Sequence, residues 1–299
     1  FVYGEGKSTK VTVPNTAKLK KVGISNCGLT SIDVSKFKNA SEITLDNNKL
    51  KTINLKKNPK LTSLACYANK LTKLNISSNK KLKDIGVGSN QLKTIDITKN
   101  KNISRVIAYD NKISSLKSNK SAKITELSLS ENKLTSLDLT KYPKLTSLYV
   151  SSNKFKKLNI AKNTKIQELF CSENPIKVLA TAKLKSLKSL DVAGTSVKKL
   201  SYAKKAALNY ISVGTSHSLL KKVKLAKGYA TVGIKVKANK TYQLAKLLPA
   251  VKGYKFSTNS SVISVSGSGA LKTGSVSKSM YEFVSAVKGS NRVSFTITK

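Results

Sequence analysis

One feature limits what this 299-residue chain can fold into more than any other: a pattern that recurs every 21 residues. Leu19, Ala40, Leu61, Leu82, Ile103, Ile124, Leu145, Ile166, Leu187 and Leu208 follow at that interval, each opening a copy of L-x-x-L-x-L-x-x-N-x-L-x-x-L-x-L. The seventh copy is complete, with Leu145, Leu148, Val150, Asn153, Phe155, Leu158 and Ile160. Apolar spacings of 3, 2, 5, 3 and 2 sustain neither a helical nor a long-strand period. They suit a closed coil with a short strand on one side, stacked so that each coil buries its apolar edge against its neighbours. The ninth position reads Cys27, Asn48, Asn69, Asn90, Asn111, Asn132, Asn153, Asn174, Thr195 and Ser216. An amide side chain has two donors and an acceptor, so seven asparagines in the bend after the strand are expected to be buried and to satisfy backbone groups of adjacent coils, as a structural ladder.

The pattern resembles the leucine-rich-repeat superfamily, most closely the bacterial IRREKO-type class, whose 21-residue repeats have two similar halves. The second half shows in Leu29-Thr-Ser-Ile32-Asp33-Val34, Leu92-Lys-Thr-Ile95-Asp96-Ile97 and Leu134-Thr-Ser-Leu137-Asp138-Leu139. Its Asp becomes Asn at Asn54, Asn75 and Asn159 and is lost at Lys117, Ala180 and Ser201. Internalin-like adhesins, with repeats one residue longer, are a more distant likeness. The resemblance covers about residues 19–225 and implies binding at a bacterial cell surface, extracellular or cell-wall-associated. The expected fold is a β-rich right-handed leucine-rich-repeat solenoid, with a parallel sheet on its concave face and little regular helix.

Both ends of the array depart from the rule. Three extra residues around His217-Ser218-Leu219 interrupt the tenth copy, and residues 1–18 are expected to cap the other end, with Lys10-Val11-Thr12-Val13 extended and closed by Pro14. From about Ala230 alternating segments take over: Val232–Val236, Thr241–Leu248, Tyr254–Ser257, Val262–Val265, Met280–Val287 and Val293–Thr298. Short strands between Gly and Ser clusters predict a small all-β sandwich. Tyr254-Lys-Phe256-Ser-Thr-Asn-Ser-Ser-Val262-Ile-Ser-Val265, followed by Gly267 and Gly269, resembles the bacterial immunoglobulin-like domains of surface proteins, with Phe256 where that family has Trp. Such domains act as spacers. The division expected is therefore a cap over 1–18, a solenoid of ten coils over 19–228 and an Ig-like sandwich over 229–299. The chain opens at Phe1 without Met or a leader-like apolar run, and reads as a piece whose leader or anchor lies elsewhere.

Charge narrows the partner class. The net charge is +42, and only Arg105 and Arg292 among the 56 basic residues are arginines. Specific nucleic-acid readers favour the planar fork of Arg, whereas lysine gives diffuse, salt-screened attraction to polyanions. No specific nucleic acid is expected. No apolar run reaches 18 residues, so no membrane-spanning helix is expected. Cys66 and Cys171 share a coil position five coils apart, ~24 Å at the spacing of paired strands, too far to bridge. His217 is the one histidine and reads as a loop residue. No nucleophile–base arrangement, metal-ligand spacing, dinucleotide motif or P-loop is present in the sequence. Carboxylates are spread along the repeat, none to three per coil, instead of gathering in a cleft. Neither enzyme, cofactor nor metal is indicated.

Binding residues are sought on the strands. The third, fifth and seventh residues of each coil should point outward. Of these thirty positions six are acidic (Glu42, Asp46, Asp84, Glu126, Glu168, Asp191) and two basic (Lys21, Arg105), a balance of −4 in a chain carrying +42. Asp110, Glu131 and Glu173 add to it at the eighth position. Tyr67, Arg105, Ile107, Tyr109, Tyr149, Phe170 and Tyr210 occupy the same outward rows. Exposed aromatics beside charge mark interaction sites, though such residues also pack against one another as sheet formers. The candidate site is thus Tyr67, Arg105, Ile107, Tyr109, Glu126, Tyr149, Glu168, Phe170, Asp191 and Tyr210, for a protein or glycan ligand. Lys49, Lys70, Lys112, Lys133 and Lys154, one residue past the Asn, form a rail suited to an anionic cell-wall polymer. That rail keeps a second reading open, a structural spacer held electrostatically to such a polymer.

Overall fold

The computed structural model describes residues 2–4, 18–120, 123–274 and 281–298. The chain divides into two compact units, Phe1–Phe155 and Lys156–Lys299.

In the first unit each coil gives one short strand. Lys21–Ser25, Glu42–Thr44, Ser63–Ala65, Asp84–Gly86, Arg105–Ile107, Glu126–Ser128 and Ser147–Tyr149 form a parallel sheet in which neighbouring strands pair at an interval of 21 residues. Val2–Tyr3 adds a strand beside Ile24 and Ser25; the extended stretch expected at Lys10–Val13 lies outside the described residues. The strands are short because the eighth residue of each coil bends the chain. Asn26, Asn47, Ala68, Ser89, Asp110, Glu131 and Ser152 all hold a left-handed conformation, φ between 49° and 56°. That bend carries the ninth residue inward. Asn132 Nδ2 donates to Ala108 O of the preceding coil (2.9 Å) and to Leu129 O of its own (3.1 Å), and its Oδ1 accepts the Ile113 N–H (2.9 Å). Asn48, Asn69, Asn90, Asn111 and Asn153 repeat the same bonds.

A second set of asparagines, not singled out from the sequence, lines the return bend at the nineteenth position. Asn58, Asn79 and Asn100 are buried, and each Nδ2 donates to two carbonyls of the preceding coil, 24 and 21 residues back. Where coil six has Tyr142 at this position, the phenol is buried and shares a 2.5 Å hydrogen bond with Ser118, itself standing where neighbouring coils place Leu55, Ile76 and Ile97. Between the two bends the outer side carries single 3-10 turns at Val34–Phe37 and Leu139–Lys141, opened by Asp33 and Asp138, and a two-stranded parallel pair, Thr94–Asp96 with Ser115–Lys117.

The second unit begins with the same architecture. Glu168–Phe170, Ser189–Asp191 and Tyr210–Ser212 pair in parallel at intervals of 21. The register persists one strand beyond the apolar pattern: Tyr210 pairs with Thr231, so Tyr229–Lys235 takes the place of an eleventh coil strand. Asn291–Thr298 pairs with it in parallel, and Glu282–Lys288 and Lys255–Ser257 then follow antiparallel. A separate antiparallel sheet holds Thr241–Gln243, Ala270–Thr273 and Ile263–Val265.

Two sequence expectations are corrected here. Thr241–Leu248 is strand only over its first three residues; Leu244–Leu247 winds into one helical turn that buries Leu244 and Leu248 four residues apart. The strand at Ala270–Thr273 had not been anticipated. His217 is not a loop residue either. It opens a 3-10 turn over His217–Lys222, its Nε2 lies 2.8 Å from the Lys235 carbonyl, and its ring meets Tyr242 edge-on at 5.7 Å.

Candidate ligand-binding face

The side chains that point away from the core along each strand form the face on which recognition was expected. In the first unit its two basic residues are both paired with the acid of the next coil. Lys21 Nζ lies 2.8 Å from Glu42 and Arg105 Nε 3.1 Å from Glu126. Exposed pairs of this kind add little stability, and here they leave Asp46 and Asp84 to set the local charge. The Asp46 carboxylate accepts the Tyr67 N–H at 2.8 Å; burial raises its pKa against that hydrogen bond.

Tyr67 and Tyr109 come from coils three and five, yet their rings stack with centroids 6.2 Å apart and planes inclined by 27°. Coil four makes this possible by having Gly86 and Gly88 at its outward positions. A methyl group on Gly86 would collide with the Tyr67 hydroxyl, and one on Gly88 would fall 2.8 Å from the Tyr109 ring. Both tyrosines therefore lie down over the bare backbone of coil four. Burial raises the pKa of the Tyr67 phenol; the Arg105 charge opposes this, and Tyr109, Asp46 and Glu126 add to it. Tyr109 keeps 37% of its surface exposed. The fold thus brings Tyr67, Arg105, Tyr109 and Glu126 together, with Ile107 half-buried on the Arg105 strand. Tyr149 is half-buried at the end of the Ser147–Tyr149 strand.

The second unit repeats the device with different residues. Phe170 and Tyr210 stack at 5.5 Å, 16° from parallel, across coil nine, whose outward residue is Asp191. Burial raises the Asp191 pKa. The Ala193 N–H (3.0 Å) and the Ser172 and Ser212 hydroxyls donate to it and work the other way, while Glu173 raises it further. Glu168 is half-buried on the Phe170 strand. Sequence reasoning missed the continuation of this face. Paired residues of neighbouring strands share a side of the sheet, so the register from Tyr210 through Thr231 and Ser294 to Ser285 puts Tyr229, Phe283 and Val287 on it, with 59%, 57% and 36% of their surfaces exposed. The available signal was the alternation of Phe283, Ser285 and Val287 with buried Glu282, Val284 and Ala286. Tyr281 stands close enough to act on the Tyr210 phenol, whose pKa is raised chiefly by burial.

Lys49, Lys70, Lys112, Lys133 and Lys154 are all exposed beside the Asn bend. The three cysteines are free and buried; burial pushes the thiols of Cys66 and Cys171 far up, which leaves them protonated and unreactive. Among the described residues no group of three or more His, Cys, Asp or Glu side chains gathers to hold a metal ion, and no helix is long and apolar enough to cross a membrane.

No family model matches the sequence, and no curated protein does. Solved structures do match. The functional domain of InlJ from Listeria monocytogenes, described as including a cysteine ladder, superposes with a TM-score of 0.53 at 17% identity, over 99% of this chain and 83% of that one. The leucine-rich repeat domain of APL1B does so with a TM-score of 0.51 at 19% identity, over 79% and 73%. The fold is that of a leucine-rich-repeat solenoid. In this chain Cys66 and Cys171 share the sixth coil position with Leu45, Val87, Ala108, Leu129 and Val150, all buried.

Proposed function

We propose that the chain is a binding and adhesion module, displayed outside a bacterial cell, that grips a protein or glycan ligand on the strand face of its leucine-rich repeats. The observation that carries this reading is the pair of tyrosines laid over Gly86 and Gly88. Two glycines at outward positions of one coil forgo packing and cost conformational entropy; what they provide is a flat aromatic surface, with Arg105 and Glu126 beside it. The Phe170–Tyr210 stack with Asp191 is a second such patch within its own unit. Flat rings with flanking hydrogen-bonding groups stack on sugars or anchor a partner's side chains. A face kept at −4 in a chain of +42 is a surface from which lysine has been held away. The likeness in fold to the functional domain of InlJ is consistent with this reading, as are the 21-residue repeats of IRREKO type. We read the antiparallel strands that close the solenoid sheet, together with the separate three-stranded sheet, as an immunoglobulin-like sandwich over 229–299 acting as a spacer.

The test is a glycan array joined to a pull-down against host and bacterial surface proteins, followed by titration of the captured ligand. Tyr67→Ala with Tyr109→Ala, and Phe170→Ala, should each lower affinity more than about tenfold, as truncated hot-spot aromatics do, with little change in Tm. Tyr149→Ala is expected to act likewise, while exposed Lys156→Ala with Lys157→Ala leaves affinity nearly unchanged. Full affinity in all the aromatic variants would move the site off the strand face.

A further inference from the structure

The return bend of the coils, on the side away from the strand face, carries a regularity of its own. In coils one to six its described residues are 33–39, 54–60, 75–81, 96–102, 117–120 with 123, and 138–144, which together hold fourteen lysines and three aspartates. One position is lysine in five of the six, at Lys36, Lys57, Lys99, Lys120 and Lys141, with Ser78 as the exception. Because the strands pair in register at intervals of 21, these positions recur once per coil along the edge. The three aspartates are turned to other work. Asp33, Asp96 and Asp138 accept the backbone N–H groups of Ser35, Thr98 and Thr140 at 3.0, 2.9 and 3.2 Å, closing the bend. Asp138 also lies 3.9 Å from Lys141.

Two clefts open here, each of about 540 Å³. Lys38, Lys56, Lys57 and Lys60 line one; Lys80, Lys99, Lys101 and Thr98 line the other, and neither has an acidic side chain in its wall. Their walls offer ammonium, amide and hydroxyl donors, the complement of a phosphate oxygen. We propose that this edge of the first unit docks a flexible, base-free phosphodiester polymer of the polyol-phosphate kind, threaded along the lysine ridge with phosphates seated in the clefts. Three features favour that occupant over nucleic acid. Lysine lacks the bidentate fork that reads bases. The aromatics of the bend, Phe37 and Tyr142, are buried, so the edge has no platform on which bases could stack. The ridge is a file of flexible point charges, suited to a chain with no fixed groove. The lysines beside the Asn bend are a poorer match: in coils two to seven residues 46–50 and their equivalents carry five lysines against Asp46, Asp110 and Glu131.

The experiment uses the full chain and a short synthetic poly(glycerol phosphate), with single- and double-stranded DNA of equal charge as comparators. One variant combines Lys57→Gln, Lys99→Gln, Lys101→Gln and Lys120→Gln, all exposed; a charge-matched variant combines Lys49→Gln, Lys70→Gln, Lys112→Gln and Lys133→Gln. Thermal melts establish that both remain folded. The first should bind the polymer more than about tenfold more weakly, with the slope of log K against log salt reduced by about three, whereas the second loses less than about threefold. Equal losses would reduce the effect to net charge and overturn the assignment. So would DNA binding as tightly as the polymer at equal charge and salt.

Discussion

At the scale of the residue, the coil depends on two neighbouring positions that make opposite demands. The eighth must accept a left-handed backbone, and in the first unit every coil meets that demand without glycine; the ninth must bring an amide to backbone groups of two coils. Replacing Asn132 by Ala leaves the Ala108 carbonyl and the Ile113 N–H without their partner. The expected loss is about 1–3 kcal/mol, read by chemical denaturation. Thr195→Ala should cost less, because the Thr195 hydroxyl makes a single bond, to Val192 O within its own coil. Ala68→Gly has the opposite sign. Ala68 sits at φ 49°, a conformation that costs an L-residue roughly 1–2 kcal/mol, and glycine returns part of that relief as chain entropy. A net gain of about 0.5–1 kcal/mol, seen as a raised denaturation midpoint, is expected; a lower midpoint would show that the bend is held by something other than backbone preference. The asparagines at the ninth position were legible in the sequence because seven follow one another without a gap. Asn58, Asn79 and Asn100 were not, since Ser121 and Tyr142 break their series and the spacing of apolar residues alone does not call for an amide there.

At the scale of the element, each coil completes its predecessor. Coil five has Ser118 where a core aliphatic belongs, and coil six answers with Tyr142, whose ring fills the space and whose hydroxyl meets Ser118. Tyr142→Phe keeps the volume but strands the Ser118 hydroxyl, for an expected cost of about 1–2 kcal/mol. The double change with Ser118→Ala should recover most of it, and a double-mutant cycle measures the coupling. The strands were well predicted inside the repeat, where the outward and inward positions alternate at a fixed place in every coil. Prediction weakened beyond Lys235 because a short strand and a single helical turn both bury residues a few places apart: Leu244 and Leu248 suit either until the chain around them is known. The aromatic face was legible as a list of residues. What the list lacked was Gly86 and Gly88, whose role lies in what they omit, and Phe283 with Tyr229, which reach the same face only through a strand order that the sequence does not state.

At the scale of the whole molecule, a charge of +42 on 299 residues sets 56 basic side chains against one another with 14 acidic ones to relieve them. Tm should therefore rise when ionic strength goes from about 0.01 to about 0.15 M, as the screening length falls from about 30 to about 8 Å. A Tm that falls with added salt would mean that attractive pairs outweigh the repulsion. The register of the coils has a different kind of consequence. From Asn48 to Asn132 the ninth-position asparagines reach backbone groups 24 and 19 residues back, and the strands of the array pair at a span of 21. Length in such a chain is quantised. A gene that gains or loses one whole period hands each asparagine an equivalent set of partners, and the face grows or shrinks by one strand. A change of one or two residues misplaces every amide at the seam. The reach of the binding face is thus a dial that recombination between repeats can turn in fixed steps, without re-solving the folding problem at each setting.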